Sequence, residues 1–327
     1  MLGSVDESTP FPPVKPSPVS GYDVSIAAKR VSEIVSTKDM RIGVHVSIAQ
    51  GLHRAFARGA QIGCTVIQIF TRNATRWHAH PLDTTTVKRF LEEHTRTGMP
   101  VVAHGPYLIN PASPDPTVFE RSVAALREEI ERTETLGIRE LILHPGAHKG
   151  SGVDEGLERV ATTLNVVLKD CPGYRTRILL ENTAGQGTGV GHRFEHLGRI
   201  IARAVEPARL GICFDTCHAH AAGYDLTTES AYRRVFEEFD REIGLDRLKV
   251  LHFNDCKRGL GEKIDRHEHI GLGSMGIESF RLIMNDRRFS ALPKILETPK
   301  LQDGKDMDPV NLSVLRSLVE AAGSRNQ

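Results

Sequence analysis

The sequence predicts one closed (β/α)8 barrel preceded by a disordered N-terminal extension. Three observations carry this prediction. Short apolar runs that read as strands begin near residues 41, 65, 101, 139, 177, 210, 249 and 294. Segments of helical periodicity separate them, and such alternation implies a parallel sheet covered by helices, with eight the number that closes it. An acidic or imidazole side chain closes one run after another, at His45, His104, His144, Glu181, Asp215, His252 and Glu297. A barrel places its site at the carboxyl ends of its strands, whereas an open doubly wound sheet gathers it at one switch point. Ligand-type residues spread over nearly every strand therefore favour closure.

Residues 1 to about 20 are rich in Pro and Ser and poor in aliphatic side chains, which predicts a disordered tail. Residues 24 to 36 (VSIAAKRVSEIVS) space their apolar residues for a short amphipathic helix. The stretch has no secretory apolar core, and Asp6 and Glu7 set it apart from Arg-rich, acid-poor transit peptides. We assign residues 1–40 to the extension and 41–325 to the barrel, with Met40 an alternative initiator. Within the barrel the clearest helices are TVFERSVAALREEIERTETLG (117–137), RFEHLGRIIARAVE (193–206) and ESAYRRVFEEFDREIG (229–244). Pro116 and Gly137 punctuate the first of these.

The 327 residues are 25% charged and 39% hydrophobic, an ordinary globular composition with room for a large core. Length alone suggests two domains, but α/β barrels often use about 250 residues as one unit. Lys+Arg number 42 against 41 Asp+Glu, so bulk charge advertises no nucleic-acid partner, although a local cationic face could bind phosphate. No apolar run approaches the roughly 20 residues of a membrane span, so no membrane partner is expected. The five cysteines include no CxxC pair and read as reduced core thiols of a cytosol-like compartment. Cys213 and Cys217 flank Asp215, and thiol packing explains them as well as ligation does.

Burying so many polar groups would cost several kcal/mol each unless cations or partners compensate them. Asp215 and His218 in DTCH stand at a strand end and just beyond it, where a turn can aim both inward. Asp265 and His267 in IDRHEH are two apart, so in an extended segment both leave one face. Imidazole and carboxylate without evident thiolate suit Zn²⁺ or Mn²⁺. Two or more such ions sharing a carboxylate serve in-line phosphoryl displacement. Glu181, Asp215, Asp265 and Glu297 supply four negative charges, which three divalent ions would exceed, leaving a cationic site suited to a phosphodiester.

The motifs GVHVS, AHGPYLIN, HPGAH, ENTAGQG, DTCHAHAAGYD, LHFNDCK, IDRHEHIGLG and ILET, in this order from about residue 41 to the last helix, resemble the endonuclease IV family of apurinic/apyrimidinic (AP) endonucleases. The resemblance implies a TIM barrel that holds three Zn²⁺ ions, with Mn²⁺ acceptable at one site. It implies incision of DNA 5′ to an abasic site, leaving a 3′-hydroxyl and a 5′-deoxyribose phosphate, and trimming of 3′ ends. By position His104, His144 and Glu181 would hold the first zinc; Glu181, Asp215, His252 and Glu297 the second; His218, Asp265 and His267 the third. A hydroxide shared by the first two ions would be the nucleophile, with Glu181 bridging and Glu297 helping to orient or deprotonate it. His45, Asn182, Gln186 and Asn254 would support these ligands by hydrogen bonds.

For DNA contact the resemblance points to the loops TRNATRW (71–77) and GPYLIN (105–110). Tyr107 and Leu108 match the family's wedge residues, which fill the gap left by a flipped-out abasic nucleotide. Where bacterial relatives carry Gln-Arg this chain has Ala74-Thr75, so either Arg76 takes over the intercalating role or the wedge is weaker. Trp77 reads as packing under its loop. Arg72, Lys149, Lys257, Arg258 and Arg266 are candidate phosphate contacts, which fix position without reading sequence. The expected partner is double-stranded DNA with an abasic site or blocked 3′ end, met by a monomer, in the cytoplasm at the nucleoid of a prokaryote or the nucleus of a eukaryote. The competing readings are a divalent-metal sugar isomerase or epimerase on the same barrel, and a catalytically dead lesion-binding protein.

Overall fold

Eight runs rich in aliphatic residues pair side by side, all parallel, until the last meets the first. The computed structural model describes residues 40–319. The expectations for residues 1–39 and for the chain beyond 319 lie outside the described residues. The strands are β1 (Ile42–His45), β2 (Val66–Phe70), β3 (Val101–His104), β4 (Glu140–Leu143), β5 (Arg177–Glu181), β6 (Leu210–Asp215), β7 (Leu248–His252) and β8 (Lys294–Leu296). Each begins within one residue of the position read from periodicity. β8 pairs with both β1 and β7, and the barrel closes.

The surrounding helices are α1 (Arg54–Gln61), α2 (Thr84–Thr97), α3 (Pro116–Thr135), α4 (Val153–Asp170), α5 (Phe194–Ala202), α6 (Thr216–Ala222), α7 (Glu229–Glu242), α8 (Gly276–Met284) and α9 (Asp308–Ser317). Asp115 caps α3 by accepting from Val118 N at 3.0 Å, with Pro116 in the first turn, where its missing N–H costs nothing. α5 stops at Ala202, short of the expected 206, and Glu206, held out of the helical region by Pro207 after it, lies outside the helix. No helix among the described residues is long and apolar enough to cross a membrane.

Alternation along the strands builds two apolar layers. Val66, Val102, Ile142, Leu179, Cys213, Val250 and Ile295, one from each of seven strands, form a cluster inside the barrel. Their neighbours, such as Ile67, Ala103, Leu141, Ile178, Leu180, Ile212 and Leu251, join the larger core beneath the helices. Each fully buried aliphatic side chain contributes about 1.5–3 kcal/mol. These layers let the rim above carry polar groups.

Candidate metal centre

Side chains two residues apart on a strand share a face. Counting two onward from each interior apolar residue gives Gln68, His104, His144, Glu181, Asp215, His252 and Glu297. One repeat above the dry interior, the barrel mouth is thus lined by imidazoles, carboxylates and an amide. His104, Glu181, Asp215 and His252 are buried there.

Glu181 occupies the centre. Its Oε2 lies 3.2 Å from His104 Nε2 and 3.0 Å from His144 Nε2, while its Oε1 lies 3.1 Å from His252 Nδ1 and 3.2 Å from His218 Nδ1. Ligand atoms of His104, His144 and Glu181 fall within 4.8 Å of one another, as do those of Glu181, Asp215, His252 and Glu297. A third group joins Asp215, His218 and His267. Asp265 borders it, with Oδ2 3.1 Å from His218 Nε2 and Oδ1 3.3 Å from His267 Nε2. Asp215, expected to serve the second group alone, stands between two: its Oδ2 is 3.8 Å from His252 Nδ1 and 3.7 Å from His267 Nε2.

Local structure explains the DTCH spacing. Asp215 ends β6 and caps α6, accepting from His218 N at 2.8 Å through Oδ1. That turn brings His218 back over the mouth. Asp265 and His267 come from the long segment after β7, where Asp255–Cys256 and His267–Glu268 form a short antiparallel ladder. Buried Asp255 anchors the loop's return by accepting from Gly271 N, Gly273 N and Met275 N at 3.0–3.1 Å. Any Cβ on Gly273 would lie 2.4 Å from that carboxylate, so the approach requires glycine.

Four of the five candidate imidazoles are oriented by one nitrogen. Nδ1 of His104 donates to Gly105 O at 2.7 Å, that of His218 to Asn182 O at 2.9 Å, and that of His267 to Glu297 O at 3.1 Å. His252 is reversed, its Nε2 donating to Gln68 Oε1 at 2.8 Å. The opposite nitrogen of every ring faces carboxylates. His267 Nε2 is buried and has no hydrogen bond among the described residues. Lone pairs aimed at carboxylate oxygens repel them unless a proton or cation lies between, so the donors fit divalent cations. Without metal, protons fill the gap. Burial opposes charge on both rings, yet Asp215, Asp265 and Glu181 hold His218, and Cys213, Glu297 and Glu181 hold His252, well above the usual imidazole range. Burial pushes Glu181 up, but His252 and His144 outweigh it and hold its carboxyl well below the usual range.

The structure and the chain's relatives converge here. The sequence matches the family described as xylose isomerase-like TIM barrel over residues 56–318. It is 50% identical over 279 residues to the probable endonuclease 4 of Geobacter sulfurreducens, an alignment covering 85% of this chain and 94% of that one. The chain belongs to the endonuclease 4 family. Among solved structures, endonuclease IV from Thermus thermophilus superposes with a TM-score of 0.75 at 34% identity, covering 85% of this chain and 98% of that one. A D-tagatose 3-epimerase-like protein superposes with a TM-score of 0.64 at 23% identity, covering 85% and 97%, and shares the fold alone.

Within this endonuclease 4 family member, the four residues expected to support the ligands all touch them. Asn182 Nδ2 donates to Asp215 O at 3.0 Å, and Asn254 Nδ2 donates to Asp215 Oδ2 at 2.7 Å. Gln186 Oε1 accepts from Asp265 N at 3.1 Å, and His45 Nδ1 lies 3.4 Å from Glu297 Oε1. Cys213 and Cys217 also reach the clusters, beside Glu181–His252 and Asp265–His267. Burial pushes the Cys213 thiol up to about 12, and all five cysteines are buried and free, so both pack as neutral thiols. Sequence reading missed Gln68 because it sought acids and imidazoles. The available signal was one amide in the otherwise apolar VIQIF, at the face position that ligands occupy on other strands.

The DNA-contact candidates divide. Tyr107 is 63% exposed, with its ring 5.8 Å from that of His104 and 6.1 Å from that of His144. Leu108 beside it is half-buried, and Arg76, Lys149, Lys257, Arg258 and Arg266 are exposed. Trp77 packs against the core, with Arg121 over its ring at 5.9 Å. Arg72 is a correction. It is 5% exposed, its Nε pairs with Glu129 on α3, and its Nη1 donates to Trp77 O at 2.7 Å. A guanidinium so enclosed braces the loop and is not offered to phosphate. Arg72→Met should therefore lower stability by about 3 kcal/mol, read as a denaturant midpoint, by leaving Glu129 buried without its cation. A phosphate contact would instead reduce the salt dependence of DNA binding with the fold intact.

Proposed function

We propose that this chain is an AP endonuclease of base excision repair. It hydrolyses the DNA phosphodiester 5′ to an abasic site, leaving a 3′-hydroxyl and a 5′-deoxyribose phosphate, and trims blocked 3′ ends by the same chemistry. The observation that carries this reading is the convergence of imidazole nitrogens and four carboxylates on one barrel mouth, with the rings of His104, His218, His252 and His267 each turned by a carbonyl or amide oxygen. Three zinc ions would be held there, with Mn²⁺ acceptable at one: the first by His104, His144 and Glu181, the second by Glu181, Asp215, His252 and Glu297, the third by His218, Asp265 and His267. When bound, such cations supply an acidified water and positive charge that stabilises the phosphoryl transition state.

The protein's own groups do the rest. Glu181 presents one oxygen to each side of the centre. Glu297, with a side chain 14% exposed at the mouth, can orient an incoming water and take its proton. The apolar interior beneath excludes bulk water and strengthens each electrostatic contact. Tyr107, Leu108 and Arg76 would occupy the gap left by the extruded nucleotide, and Arg266 would meet phosphate. Tyr107→Ala should accordingly raise the Michaelis constant for abasic duplex about tenfold and change the chemical step less, since a lost aromatic contact is worth roughly 1–3 kcal/mol. Unchanged binding would remove Tyr107 from the wedge. The protein would act as a monomer on double-stranded DNA, in the cytoplasm at the nucleoid if the source is prokaryotic.

One assay tests the reading: a duplex with a single tetrahydrofuran abasic analogue, with and without chelator. Incision 5′ to the analogue that chelation abolishes is expected. An uncut duplex under metal-replete conditions rejects the proposal, and turnover of a keto sugar in its place points to the epimerase reading.

A further inference from the structure

Gln68 stands on β2 where neighbouring strands carry candidate ligands, and it is 0% exposed. Its Oε1 accepts from His252 Nε2 at 2.8 Å, and its Nε2 donates to Glu297 Oε1 at 2.6 Å and to His45 Nδ1 at 2.9 Å. These partners decide which end of the amide is oxygen. Exchanged, the carbonyl would stand 2.6 Å from a carboxylate oxygen, two acceptors with no hydrogen between them. With oxygen at His252, the Nε2 of that ring must carry a proton. Nδ1 is then the nitrogen available to a cation, 3.1 Å from Glu181 Oε1 and 3.3 Å from Glu297 Oε2.

We propose that Gln68 is a positioning residue that sets the tautomer of His252 and the orientation of Glu297 together, so that both present donors to one cation. The proposal rests on reading His252 and Glu297 as ligands of a single metal. β2 pairs in the sheet with β1 and β3, whereas His252 ends β7 and Glu297 follows β8, so backbone pairing does not link Gln68 directly to either strand. The amide makes that link across the mouth. Few other side chains could. A carboxylate would repel Glu297, and an apolar side chain would leave His252 Nε2–H and one oxygen of Glu297 buried without this partner.

Gln68→Met keeps the length of the side chain and removes both bonds. The full chain and this variant should be compared by zinc retention against a competing chelator, by histidine-selective ¹⁵N NMR, and by kcat and KM on the abasic duplex. In the wild type His252 should show a protonated Nε2. The variant should release one zinc roughly 10- to 100-fold more readily, with kcat falling and KM little changed. A folded Gln68→Met with wild-type zinc retention and kcat overturns the proposal. Should that variant fail to fold, Gln68→Glu decides, since it keeps an acceptor for His252 but repels Glu297: weakened zinc retention supports the role, and wild-type retention removes it. A zinc-loaded wild type with His252 protonated on Nδ1 overturns this proposal alone. A wild type that binds no zinc yet carries the Nε2 proton defeats the metal reading and leaves the tautomer assignment standing.

Discussion

Glu181→Gln should lower the single-turnover rate of abasic-site incision by roughly a thousandfold while the protein folds and binds duplex normally. The size of the effect follows from where the carboxylate sits. It is 0% exposed and within 3.2 Å of four imidazole nitrogens, two facing each of its oxygens. Glutamine has almost the same shape, so packing survives. It has one acceptor oxygen instead of two, no charge, and two N–H groups that would face imidazole nitrogens needed as donors to metal. Bound metal should fall together with the rate. Elemental analysis beside quench-flow cleavage checks both, and a variant cutting at wild-type speed would refute the bridging role.

The second large effect concerns stability. Stripped of metal, the protein should lose stability as pH rises above neutral, whereas the loaded protein should change little over the same range. Despite burial, His218 is held well above its ordinary value of 6.5 by Asp215, Asp265 and Glu181, and His252 by Cys213, Glu297 and Glu181. A group whose folded pKa exceeds its unfolded one stabilises fully below the unfolded value and ceases to do so as pH climbs through the folded value. The loss is at most about 1.4 kcal/mol per imidazole for each pH unit traversed. The acid side has the opposite sign. Burial pushes Asp265 up, but His218 and His267 hold it at about 2, so its contribution is present above 3.8 and fades as pH falls towards 2. Between these limits the metal-free fold should be most stable. Thermal melts of chelated and zinc-loaded samples across pH provide the test, and parallel curves would mean that cations do not replace these protons.

What could be read in advance was local. Strand starts were legible because an apolar run closed by a turn declares itself within a few residues. The acids and imidazoles at the strand ends were legible because a period of two sends them to the same face as the interior apolar residues below. The loop arginine was misread for the converse reason. Nothing around Arg72 announces that Glu129, 57 residues away on α3, will enclose it. Gln68 escaped notice because its meaning lies in partners 184 and 229 residues distant.

By itself, then, the amino-acid order determined the number of strands, their sequence around the barrel and the ligand-type residues crowning them, since each depends on spacing along the chain. Only the folded molecule decided which imidazole nitrogen is bare, that Asp215 lies between two clusters, and which arginine is spent on an internal ion pair. Hydrogen bonds and charge pairing act over a few Å between segments far apart in the chain, so they exist only after the barrel has closed.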